Sequence, residues 1–105
     1  MKFIFQVRIK PGCTAEQYIM AWQNGSAIIQ EQPGAKGTKL HKKIGEEDTY
    51  LAIASWESKE ARDRAMENLK KVDQKTRVTL DRHRQFGDVT LIGSFEDSEW
   101  EVGNT

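Results

Sequence analysis

Two histidines, His41 and His83, are the only side chains of this chain that change charge near neutral pH without perturbation, so proton transfer at that pH would start from one of them. His41 stands in the lysine-rich stretch 38–44 and is the candidate catalytic residue; the alternative is a solvated histidine on an edge strand. His83 lies between Arg82 and Arg84, which reads as part of an exposed basic face. Neither pairs recognisably with an acid. The candidate substrate-binding residues are Tyr18, Trp22 and Trp56. The first two are one helical turn apart and the third ends an apolar strand, an arrangement that suits an aromatic cavity and equally suits a packed core. Arg8 would project from a strand either to meet an acid or to hold an anion, the structural pairing being preferred. Cys13, just ahead of a helix, is the only cysteine, which excludes an intramolecular disulfide and a cysteine zinc cluster. With no histidine beside it in sequence, it is a poor nucleophile candidate.

The 105 residues suffice for one domain, read as residues 1–95 with an acidic tail at 96–105. Sixteen basic and sixteen acidic residues cancel to a net charge of zero, so no global field recruits nucleic acid or an anionic membrane. The basic run Lys70, Lys71, Lys75, Arg77, Arg82 and Arg84 is interrupted by Asp73 and Asp81, and the strands lack the aromatic pattern of RNA-binding sheets. It reads as a solvated face. No segment has the apolar length of a signal peptide or membrane span, and with one cysteine the expected location is the cytoplasm.

The elements that must position these residues follow from periodicity. Lys2 to Lys10 alternates, with Phe3, Phe5, Val7 and Ile9 on one face and Ile4, Gln6 and Arg8 on the other. After Pro11-Gly12, Thr14 and Gln17 form a capping box, and the helix carries a stripe of Tyr18, Trp22, Gly25 or Ser26, and Ile29 until Gln32-Pro33-Gly34. A polar strand from Gly37 has the lysines of a sheet edge, and residues 45–48 turn it into the apolar, central strand Thr49 to Trp56. Ser58 caps a second helix with the stripe Ala61, Ala65, Leu69 and Val72 and the favourable pairs Glu60/Arg64 and Glu67/Lys71. Residues 74–85 fit strand or helix, with helix preferred, and Val89 to Phe95 forms the last strand. This order predicts an α+β, ferredoxin-like split βαβ fold: a four-stranded antiparallel sheet with both helices on one face. The uncovered face carries Ile4 with Leu51 or Ile53, which favours a homodimer.

Lys10-Pro11-Gly12, Gln32-Pro33-Gly34 and the stretch Tyr50 to Ser58 followed by Ala61 resemble the antibiotic biosynthesis monooxygenase family of the dimeric α/β-barrel superfamily. The resemblance implies a homodimer whose two sheets close into a barrel, a pocket between each sheet and its helices, and oxygenation of an aromatic or quinol-like molecule without metal or flavin. It argues against the haem-degrading branch, whose asparagine, tryptophan and histidine are replaced near Val7, Ala65 and Lys75. A non-catalytic ligand-binding or structural dimer is the rival reading, and an isomerase or lyase using His41 a third. Trp100 and Val102 in the acidic tail are expected to dock on the partner subunit.

Overall fold

The alternation of Lys2–Ile9 becomes strand β1, and the capping box at Thr14 opens helix α1, Ala15–Ile29. In the computed structural model, which describes residues 1–103, β2 (Ala35–Lys42), β3 (Thr49–Trp56), α2 (Lys59–Leu69), α3 (Gln74–Asp81) and β4 (Gly87–Phe95) follow, with a 3-10 turn at Arg82–Gln85 before β4. The four strands form one antiparallel sheet in the order β2-β3-β1-β4, so the chain has the ferredoxin-like α+β fold. β3 is central and the lysine-rich β2 lies at an edge, as its polar composition predicts.

Both predicted helix caps form. Thr14 Oγ1 accepts from the Gln17 amide at 3.1 Å while the Thr14 amide donates to Gln17 Oε1 at 2.8 Å, and Ser58 Oγ accepts from the Ala61 amide. Asn24-Gly25 does not interrupt α1: Gly25 is buried where α1 meets α3, and a Cβ there would stand 3.3 Å from the Thr79 carbonyl oxygen. Residues 74–85 are helical, but α2 stops at Leu69 and Asp73 caps a separate α3 through the Thr76 amide. Val72 therefore belongs to the intervening turn and not to the α2 stripe. The pairs bracing α2 are Lys59–Asp63 and Glu67–Lys70; Glu60/Arg64 and Glu67/Lys71 do not form ion pairs among the described residues. Arg8 reaches Glu46 and Asp48 of its own chain at 3.7 and 3.9 Å, two long contacts between exposed groups.

Val7, Ile9, Tyr18 and Tyr50 form the packed core, at the α1 end of the sheet. The register places Ile4 opposite Ile53, and Gln6 opposite Leu51, on the face without helices. Between β1 and β4 the register slips, because Phe5 pairs with Leu91 and Ile4 with Gly93, leaving Ile92 as an extra residue. Leu91, Ile92 and Phe95 are about half exposed along that edge. Residues 96–103 form no helix or strand, and Trp100 is 84% exposed; residues 104–105 of the tail lie outside the described residues.

At the other end, Gly34 fastens the start of α2 to the sheet. Its carbonyl accepts from the Glu57 amide at 2.8 Å, its φ is +89°, and a Cβ on it would stand 2.6 Å from the Ala61 Cβ. Gly34→Ala adds backbone strain and overpacking together, and is expected to cost about 2 kcal/mol or more. A urea midpoint unchanged from that of the native chain would refute this account of the α2 anchor.

Candidate functional site

Between the Tyr18 anchor of α1 and the Ala61 anchor of α2 the helices stand apart over the sheet, leaving a partly enclosed cavity of about 420 Å³. That volume lies within the range of sites for small organic ligands. β1 supplies Phe3, Phe5 and Val7 to its floor, and β3 supplies Ala52 and Ala54, small residues that leave room above the sheet. Trp22, one turn after Tyr18 on α1, borders the cavity on one side, and Arg62 and Met66 of α2 border it on the other. Trp56 closes the end where β3 leads into α2.

Three of the four residues singled out in the sequence meet here. Tyr18 and Trp56 are almost fully buried, Trp22 is half-buried, and all three line the cavity. His41 lies elsewhere. It is exposed on β2 opposite Leu51, whereas its neighbour Leu40 is opposite Ala52 and packs against the core, so His41 points from the helix-free face. The histidine of the cavity is His83, expected on an exposed basic face but instead turned inward, with its ring 6.0 Å from that of Tyr18 in an edge-on contact. The 3-10 turn continues the buried side of α3 from Leu80 to His83, the same three-residue step visible in the sequence. The basic character of Arg82 and Arg84 concealed it.

The two polar groups at this end have complementary proton chemistry. Burial pushes the Tyr18 phenol up to about 12, so at neutral pH it is a hydrogen-bond donor and not a base. Its hydroxyl has no protein partner among the described residues, yet no buried side-chain oxygen or nitrogen there is left sealed without one. The hydroxyl is therefore not sealed, and it belongs to a residue that lines the cavity. Burial, and then the charge of Arg84, lower the His83 pKa from its ordinary 6.5, which keeps the imidazole neutral. The nearby Leu80 carbonyl acts the other way and favours the charged form, but burial prevails, and a neutral imidazole keeps one ring nitrogen able to accept a proton. A neutral base and a phenolic donor thus share one end of an aromatic cavity. The Tyr18 ring reaches this position because residue 87 is glycine: a Cβ there would stand 2.8 Å from it.

Cys13 is half-buried with Sγ 3.9 Å from the Gln85 carbonyl oxygen, packed against the core and not among the cavity residues. Among the described residues no group of three or more His, Cys, Asp or Glu side chains is placed to hold a metal ion, and no helix is long and apolar enough to cross a membrane.

Comparison with known proteins agrees with the fold. The family model for antibiotic biosynthesis monooxygenases matches residues 2–70. SnoaB, a cofactor-independent oxygenase from Streptomyces nogalater, superposes with a TM-score of 0.68 at 15% identity, covering 94% of this chain and 96% of that one. PA3566 from Pseudomonas aeruginosa superposes with a TM-score of 0.60 at 13% identity, over 90% and 93% of the two chains. No curated protein matches the chain.

The depressed His83 pKa has a sign that can be measured. The unfolded chain binds this proton more tightly than the folded one, so the stability due to the neutral imidazole is complete above the ordinary value of 6.5 and is lost as pH falls through the lower folded value. The urea midpoint should fall more steeply below pH 6.5 in the native chain than in His83→Gln. Parallel pH profiles would show that the imidazole is not desolvated.

Proposed function

This chain belongs to the antibiotic biosynthesis monooxygenase family, and on that premise we propose that it binds an aromatic or quinol-like molecule in the sheet-helix cavity and oxidises it with molecular oxygen without a cofactor. The observation that carries the reading is the neutral His83 beside the unpartnered Tyr18 hydroxyl in a cavity walled by Trp22 and Trp56. His83 removes a proton from the substrate, and Tyr18 donates a hydrogen bond to the oxyanion that results. The electron-rich anion then reduces oxygen. For a ring methylene, the carbon-oxygen bond forms as a peroxide that loses water, so substrate and O₂ become ketone and H₂O. The aromatic walls exclude bulk water from the anion. SnoaB, with the same fold, is described as a cofactor-independent oxygenase, which supports this reading.

The second reading is a ligand-binding protein without catalysis, favoured by the absence of an ion pair between His83 and a carboxylate among the described residues. Oxygen uptake with a panel of quinols separates the two. His83→Gln should lose about a hundredfold in rate or more. Tyr18→Phe should lose less, and His41→Ala, on the other face, should retain the native rate. A loss confined to His41→Ala would move the base to His41, and no uptake with any quinol would leave the non-catalytic reading.

We also propose that the chain is a homodimer in the cytoplasm, its free Cys13 suiting a reducing compartment. The half-buried Ile4, Leu51 and Ile53 of the open face, with the half-exposed Ile92 and Phe95 at the β4 edge, form an apolar surface that a second copy would cover. The exposed Trp100 and Val102 then bury on the partner. A chain ending at Phe95 should dimerise at least about tenfold more weakly, the scale of burying one large apolar side chain. An unchanged sedimentation profile would remove the tail from the interface.

A further inference from the structure

Gly25 lies inside α1, where a glycine weakens a helix relative to alanine. Its backbone does not call for one, since its φ is not among the positive values that Gly12, Gly34, Gly37, Gly45 and Gly103 adopt. Space does. A Cβ at position 25 would stand 3.3 Å from the Thr79 carbonyl oxygen, 3.4 Å from that of Leu80 and 3.6 Å from the Leu80 Cα, so the main chain of α3 lies directly against α1. The atoms that would have to yield belong to the backbone, which cannot turn aside as the end of a flexible side chain can.

This contact lies in the cavity wall, which Gly25, Leu80 and His83 all line. α3 is fastened near its other end, where Asp73 caps it through the Thr76 amide at 2.8 Å and Arg77 donates to the Leu69 carbonyl of α2. A side chain on residue 25 therefore tilts the Thr79–Leu80 end of α3 outward, and the 3-10 turn at Arg82–Gln85 goes with it. That turn carries His83, three residues after Leu80, with its ring 6.0 Å from that of Tyr18. The charges acting on the imidazole are those of Arg84, which disfavours its protonation, and of Asp81, which favours it and is itself paired with Arg77. From α1 it meets the neutral Tyr18 phenol, and the strand residues at this end of the cavity are Val7 and Val89; beyond β1, Lys10 reaches the Arg84 carbonyl at 2.8 Å. Residue 25 adds no charge to this set, so it can reach the imidazole only through position.

Resting on the function proposed above, we propose that Gly25 is a positioning residue for the base: its missing side chain lets α3 sink against α1 until His83 enters the cavity beside Tyr18. Any side chain there holds His83 back toward solvent and away from the substrate.

NMR titration of the histidine rings in the full chain reads this directly, with His41→Gln telling the two histidines apart. In Gly25→Ala the contacts at 3.3 and 3.4 Å must open by a few tenths of an ångström, and in Gly25→Val by more. The His83 midpoint should rise toward 6.5 in that order as the ring regains water, and its cross-relaxation with the Tyr18 ring should weaken. Oxygen uptake from the quinol panel should fall in kcat by about a hundredfold in Gly25→Val, the scale of a misplacement of about 1 Å, with less effect on KM. Ala27→Gly lies on the exposed side of α1, two residues on, and should lower the urea midpoint while leaving the His83 titration as it is. A His83 midpoint unchanged in every Gly25 variant that folds, or shifted equally by Ala27→Gly, overturns the positioning role. A midpoint that moves as expected in a chain that oxidises no quinol would keep the positioning of His83 and overturn the oxidation alone.

Discussion

At one end of the sheet the Tyr18 ring rests over Gly87 and Val7, and at the other Ala61 rests on Gly34. These contacts fasten α1 and α2 at opposite ends of the same face, and neither helix can then cover the ground between them. The floor has large side chains on β1 and small ones on β3, so Phe3 and Phe5 hold the space open while Ala52 and Ala54 deepen it. A fully packed interior would recover more apolar burial; the room left here reduces stability in exchange for a concave aromatic surface.

The same geometry sorts the charges. Ion pairs on the outer surface, such as Lys43 with Glu46 and Lys59 with Asp63, are short and solvent-exposed and contribute little to stability. Around the cavity Asp81 faces Arg77, and Asp63, just outside the lining, is shared between Lys59 and Arg62. Burial then acts in opposite directions on the two titratable groups that share the inner end. It raises Tyr18 and lowers His83, and both remain uncharged at neutral pH.

The fold was largely legible because its signals are local. Alternation in β1, the caps at Thr14 and Ser58, and the apolar run of β3 each depend on residues within one element, and each forms as its pattern predicts. The aromatic wall was legible for the same reason, since helical spacing already puts Tyr18 and Trp22 on one stripe. What sequence did not disclose was which half-polar positions turn inward. Arg62 borders the α2 stripe next to Ala61, and His83 follows Leu80 by three residues, but the choice between solvent and cavity depends on where α2 and α3 are anchored. Those anchors lie in other parts of the chain. His41 shows the reverse case: its chemistry invited a role, while the register of β2 against β3 sends it to the other face.

The extra residue in β4 also limits what can attach to the edge of the sheet. An uninterrupted outer strand would offer a continuous row of amide and carbonyl groups, able to accept a strand from one molecule after another. With Ile92 inserted between the residues opposite Phe5 and Ile4, that row is broken and the strand is bent near its middle. Apolar side chains at this edge can be covered by a neighbour's surface, but open-ended strand-by-strand growth is disfavoured. The bulge therefore makes adhesion at the edge self-limiting, so that the chain can keep an apolar border without turning it into the seed of a fibre.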